Sequence, residues 1–168
     1  MGRVKSGHGT LLGNAGEHYV LAELLRRNVV AGLTPRNAPG IDILGRAGTK
    51  SLRIRVKTKS DEASSWVWVA KTQSAQGVIF PEVGLNDPDD LIALVDIPKS
   101  GAQEVYWFHT NIIDSVLKRN HQNWLNQPGR NGKKHNPSKM RRLDLDSEFS
   151  RLCTQHRLAW DSISQGLK

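Results

Sequence analysis

Apolar and polar positions change their period several times along this chain, and each change marks an element. Over 15–27 the apolar residues Val20, Leu21 and Leu24 recur at helical spacing, with Asn14 placed to cap the start, so a helix is predicted there. Residues 1–12 read as a basic lead. Pro35, Pro39 and Gly40 interrupt the chain before an extended Ile-Asp-Ile-Leu segment at 41–44, and 45–50 reads as a turn. Residues 51–59 alternate strictly, which marks a strand. Side chains alternate across a strand, so Leu52, Ile54 and Val56 face one way and Arg53, Arg55, Lys57 and Lys59 the other. Segments 66–70, 91–97 and 104–109 read as further strands, with 71–90 mostly turn and loop. Thr110 can cap a helix to about residue 119, and Asp146 or Ser147 a last helix to about residue 163. A helix, several strands and then helices predict one mixed α/β domain over 1–168, a sheet flanked by helices.

Charge adds a partner to this picture. Lys and Arg number 24 against 16 Asp and Glu, a net charge of +8, with a sequence pI near 9.9. No acidic residue lies between Asp114 and Asp144, a window that holds Lys118, Arg119, Arg130, Lys133, Lys134, Lys139, Arg141 and Arg142. Its Asn, Gly, Pro and Lys content predicts a basic loop at about 120–142. Such a loop suits phosphate contacts, and it equally suits a solvated surface. Trp124, beside His121, Asn123 and Asn126, is the candidate aromatic contact, whereas Trp66, Trp68 and Trp160 read as core. The single cysteine, Cys153, excludes an intrachain disulfide and a cysteine-cluster zinc site. His121 and His135 lack ligand partners at zinc spacing, and Gly45–Ser51 lacks the spacing of a phosphate-binding loop. No apolar run approaches the ~20 residues of a membrane span, and the first residues hold no apolar signal core. A cytoplasmic protein with no membrane role and a nucleic-acid partner is the expectation.

The cationic face of 51–59 carries the candidate chemistry. Four cations on one strand face repel one another and need carboxylates or a polyanion opposite. Asp42 lies on the hairpin neighbour of that strand, and Glu17 on the preceding helix. A carboxylate and a lysine on adjacent strands can face one point, hold a divalent cation and polarise a water for attack on phosphate. The lysine would stabilise the charge that develops on the phosphate. Each residue also has a plainer role open to it. Glu17 can close a capping box with Asn14, Asp42 can belong to a turn, and Lys57 can blunt an edge strand.

The segments GNAGEHYVLAELL, APGIDIL and LRIRVKTK, within about 13–70, resemble the PD-(D/E)xK nuclease superfamily. The resemblance implies a restriction-endonuclease-like fold, a mixed β-sheet flanked by helices. It implies a Mg²⁺- or Mn²⁺-dependent endonuclease acting on DNA, with Asp42 as metal ligand, Lys57 as catalytic lysine and Glu17 as the added helix carboxylate. It leaves a homodimer open. Two positions depart from the pattern: Ile41, not proline, precedes Asp42, and Arg55 stands where an acidic residue or glutamine is usual. A guanidinium has no acceptor and cannot ligate a cation. Either Glu17 supplies the missing carboxylate while Arg55 grips phosphate, or the site has lost its metal and the protein is a catalytically inactive nucleic-acid-binding module. On both readings Arg53, Arg55 and Lys59 of the strand, and Lys133, Lys134, Lys139, Arg141, Arg142 and Trp124 of the basic segment, are the expected nucleic-acid contacts.

Overall fold

The computed structural model describes residues 8–35, 38, 40–60, 63–69, 72–74, 77–79, 89–136 and 140–165. In chain order the elements are α1 (His8–Arg26), β1 (Val30–Leu33), β2 (Ile43–Ala47), β3 (Lys50–Ser60), β4 (Ser65–Val69), β5 (Thr72–Ser74), β6 (Gly77–Ile79), β7 (Leu91–Ile97), β8 (Glu104–His109), α2 (Thr110–Asn126), β9 (Met140–Asp144), α3 (Ser147–His156) and α4 (Trp160–Ser164). The main sheet runs β1-β2-β3-β7-β8. Its pairs are antiparallel except β3 with β7, which run parallel with Ile54 beside Leu91 and Lys57 beside Leu94. A parallel neighbour needs a long crossover, and the segment between β3 and β7 supplies it. β4 pairs with β9 in a separate two-stranded ribbon, and β5 with β6 in another.

β7 is buried on both faces, which is why 91–95 reads as an unbroken apolar run. Leu91, Ala93 and Val95 join Ile54, Leu52, Val20, Leu24, Trp107 and Ile163 in one core, under α1 and α4. Ile92 and Leu94 join Trp66, Trp68, Phe108, Ile113, Leu143 and Phe149 in a second core, under the β4–β9 ribbon, α2 and α3. Trp66 Nε1 donates to Val95 O at 3.1 Å and ties the ribbon to the sheet. Trp66 and Trp68 are therefore core residues, as expected. Trp160 is partly buried and packs edge-on against Trp107 at 5.0 Å.

Several predicted boundaries move. α1 starts at His8, six residues before Asn14, so Asn14 and Glu17 stand inside the helix and the capping-box reading fails. β1 was not expected, because its Val-Ala-Gly-Leu is too short and too exposed to alternate. The basic segment is no long loop. α2 continues through Asn126, Arg130–Gly132 makes a single 3₁₀ turn, and Arg141 and Arg142 lie in β9. The last helix breaks after His156, where Leu158 N–H donates to Trp107 O at 2.9 Å and draws the chain onto β8. Asp146 caps α3 as predicted, accepting from Phe149 N–H at 2.9 Å. Residues 1–7 and Lys139 lie outside the described residues.

Candidate functional site

β3 presents its cations to the second face of the sheet in a fixed order. Arg53 Nε is 2.5 Å from Asp90 Oδ1, and Lys59 Nζ is 2.6 Å from Asp96 Oδ2. Asp96 is the register partner of Lys59, while Asp90 directly precedes β7. Between these two ion pairs stand Arg55 and Lys57, both partly buried.

Asp42 is brought to them by the β2–β3 ladder. The last register pair is Ile43 with Ile54, and just outside the ladder Asp42 N–H donates to Ile54 O at 2.9 Å, which holds Asp42 against β3. From there its charge acts on both Arg55 and Lys57. Its carboxylate is fixed by Val56 N–H, which donates to Oδ2 at 2.7 Å. Its carbonyl accepts from Thr34 N–H at 3.0 Å, extending the β1 side of the ladder. Burial pulls the Arg55 pKa down, opposed by the charge of Asp42. Lys57 is lowered by burial and then by the neighbouring Arg55 charge, again opposed by Asp42. One carboxylate thus acts on two half-buried cations.

The β4–β9 ribbon forms one wall of this site. Lys57 Nζ lies over the Trp68 ring, 5.5 Å from its centroid, and Lys59 Nζ over the Trp66 ring at 5.2 Å. An ammonium above a ring face is held by the ring quadrupole. On the other side the same sheet face continues onto β2 and β1, where Leu44 is 50% and Val30 76% exposed. The result is a shelf, walled by tryptophans and open along its outer strands.

Sequence reasoning placed Asp42, Arg55 and Lys57 together, and the structure does bring them together. Glu17 is partly buried on α1, which covers the opposite face of the sheet. Lys59 was expected to touch nucleic acid, but it is only 4% exposed and is engaged by Asp96. Arg141, also expected at the surface, is 1% exposed and donates Nη1 to Met140 O at 3.0 Å, because β9 turns positions 141 and 143 inward. Arg142, Lys133 and Lys134 are exposed. The sequence reading missed Asp90 and Asp96. Their signal is legible afterwards: six residues apart, around an apolar run, they fall on one strand face.

The donor set does not suit a divalent cation. Asp42 already spends one oxygen on Val56 N–H, and its neighbours are a guanidinium and an ammonium, which offer no lone pair and repel a cation. Among the described residues no three carboxylate, histidine or cysteine side chains stand close enough to hold a metal ion. The expected Mg²⁺ or Mn²⁺ therefore finds no ligand cluster there. Among the same residues no helix is long and apolar enough to cross a membrane.

A mixed five-stranded sheet with α1 on one face gives the chain a restriction-endonuclease-like fold. The bacterial homing endonuclease I-Ssp6803I matches it with a TM-score of 0.55, covering 95% of this chain and 95% of its own, at 13% sequence identity. Hjc, a Holliday junction resolvase from the archaeal hyperthermophile Archaeoglobus fulgidus, aligns at a TM-score of 0.45 over 90% of this chain and 94% of that one, at 14% identity. No family model matches the chain, and no curated protein matches it.

Proposed function

We propose that this protein binds nucleic acid, DNA foremost, on the shelf between β2–β3 and the β4–β9 ribbon, using a nuclease fold for recognition without a bound metal. The observation that carries this reading is Arg55. It stands beside Asp42, where a metal-binding site needs a second ligand, and it places a fixed positive charge there instead. A guanidinium and an ammonium two residues apart on one strand face form a clamp for consecutive backbone phosphates. The fold shared with a homing endonuclease and the net charge of +8 agree with such a partner.

The test is gel-shift titration of a short DNA duplex in EDTA. The parent should bind. Arg55→Ala and Lys57→Ala should each lose roughly ten- to a hundredfold, since a charge-assisted contact contributes about 1.5–3 kcal/mol. Binding that requires added Mg²⁺, or that is unchanged in both variants, would defeat the reading.

Hydrolysis is the second reading, and one observation favours it: Asp42 and Lys57, the two positions the nuclease pattern requires, are both present and near enough for the Asp42 charge to act on Lys57, which burial lowers in pKa. Plasmid and single-stranded substrates incubated with and without Mn²⁺ decide between the two. Cleavage by the parent that disappears in both Asp42→Ala and Lys57→Ala would replace binding by catalysis.

A further inference from the structure

Lys57 differs from its neighbours on β3 by lacking a counter-ion. Lys59 Nζ has Asp96 Oδ2 at 2.6 Å, and Arg53 Nε has Asp90 Oδ1 at 2.5 Å. Among the described residues, nothing accepts a hydrogen bond from Lys57 Nζ, and no carboxylate comes within ion-pair distance of it. Its contact is the face of Trp68, with Nζ 5.5 Å from the ring centroid. Asp42 is near enough for its charge to act on Lys57, but Val56 N–H holds its Oδ2 at 2.7 Å and the two side chains do not pair. A partly buried amine thus stands fixed by a ring, apart from its one nearby carboxylate, on a shelf open along β2 and β1.

Removal from water and a neighbouring cation are the two means by which a lysine is made nucleophilic toward a carbonyl. Lys57 has both: burial and then the Arg55 charge lower its proton affinity, opposed by Asp42. The other groups of the shelf complete a reaction set. Asp42 is an acceptor for a proton, and Arg55 a fixed cation for a phosphate. The carbonyl that DNA offers to an amine is the C1′ aldehyde of an abasic deoxyribose, formed where a base has been lost. Such a nucleotide has no base to unstack, so its sugar reaches a protein surface at less cost than a flipped nucleotide.

We infer that this protein cuts DNA at abasic sites through Lys57, with Asp42 as the base and Arg55 on the phosphate. The neutral Lys57 amine adds to the C1′ aldehyde, and the adduct takes a proton from solvent and loses water to give an iminium. Asp42 accepts the C2′ proton. The electron pair of that C–H bond forms the C2′–C3′ double bond, and the C3′–O bond breaks with the 3′ phosphate as leaving group. Water then hydrolyses the iminium, which returns the Lys57 amine, frees an unsaturated aldehyde and gives the borrowed proton back. Asp42 loses its proton to solvent. The sequence consumes no oxidant or reductant. The inference rests on the nucleic-acid reading above and adds to it a substrate and a reaction.

A labelled duplex with one abasic site tests it, in EDTA, beside the same duplex with an intact base. With sodium borohydride, which reduces the imine to a stable amine, the parent should become covalently attached to the abasic strand in a denaturing gel. Without borohydride it should cut that strand on the 3′ side of the site. The intact duplex should give neither product. Lys57→Arg keeps the charge but has no amine, so it should still shift the duplex and give no adduct. Lys57→Met keeps the stem against Trp68 and serves if the arginine does not fit; at protein concentrations that shift all the DNA it too should give no adduct. Asp42→Asn keeps an acceptor for Val56 N–H and removes the base. It should still be trapped by borohydride while cutting falls roughly a hundredfold, the low end of what a general base contributes. Cutting at the parental rate by Asp42→Asn would overturn the role of Asp42. An adduct at parental yield in Lys57→Arg or Lys57→Met, or none from the parent on a duplex that it shifts, would overturn the inference and leave the binding reading standing. Failure to shift either duplex removes both.

Discussion

Lys59 and Asp96 show how a cation on a candidate binding strand becomes a structural one. Lys59 is nearly sealed, its ammonium 2.6 Å from Asp96 and above the Trp66 ring, whereas the Asp96 side chain keeps 20% of its surface. Removing the two partners should therefore have unequal effects. Asp96→Ala leaves a charge buried without its counter-ion and should cost about 3 kcal/mol, the low end for a buried pair because Asp96 is partly wet. Lys59→Met removes the buried charge itself, keeps the packing on Trp66 and should cost less. Urea denaturation of the two variants checks the order; equal losses, or a larger loss in Lys59→Met, would mean that the pair is not what holds this end of β3. Arg55 and Lys57 differ from Lys59 by one environmental fact: they share Asp42 on a face that opens to β2 and β1, so a polyanion can reach them.

At the level of elements, the close approach of α1 to β3 fixes the depth of the sheet under its helix. Gly16 lies directly on Thr58, and a Cβ added there would fall 1.9 Å from Thr58 Oγ1 and 3.0 Å from its Cβ. Thr is β-branched and stiff at χ1, so the strand cannot yield by rotating one group. In an exposed helix interior Gly→Ala is stabilising by about 1 kcal/mol. Here overpacking should reverse the sign, and Gly16→Ala should cost about 1–3 kcal/mol. In a Thr58→Ala background the same substitution should cost less, with a coupling of about 1 kcal/mol or more between the positions, measured by a double-mutant cycle in thermal or chemical denaturation. Additive effects would show that the helix rides free of the strand. Because β3 also carries Arg55 and Lys57 on its other face, displacement of α1 is expected to disturb the shelf as well.

Across the whole molecule, positive charge is arranged in two tiers. Arg55 and Lys57 are half-buried on the shelf, and Lys133, Lys134 and Arg142 are exposed. Counter-ion release ties the salt dependence of binding to the number of phosphates that the protein neutralises. Changing Lys133, Lys134 and Arg142 to Ala together should lower the slope of log K against log salt by about three, one for each phosphate left without its cation. The affinity measured at low salt should fall most. An unchanged slope would identify the three residues as solvated surface, the plainer role that the charge window alone also allowed.

Alternation over 51–59 was enough to place the cations of β3 on one face and its apolar residues on the other, because that period is a local property of an extended backbone. The apolar run of β7 followed from the same local rules, and so did a hairpin onto 51–59, although β2 runs on to Ala47 where a turn over 45–50 was expected. Tertiary structure decided the rest. Whether a lysine on that face meets solvent or an aspartate depends on β7, 37 positions further on for Lys59 and Asp96, and no local pattern encodes the pairing. Nor could composition tell that Arg141 turns inward while Arg142 turns out, since a segment rich in Asn, Gly and Lys reads as loop until β4 offers it a partner. Charge and periodicity thus reached the face of the strand. Which of its cations remain accessible to a ligand was set by the elements that pack over it, since burial is a property of the assembled layers and not of any one segment.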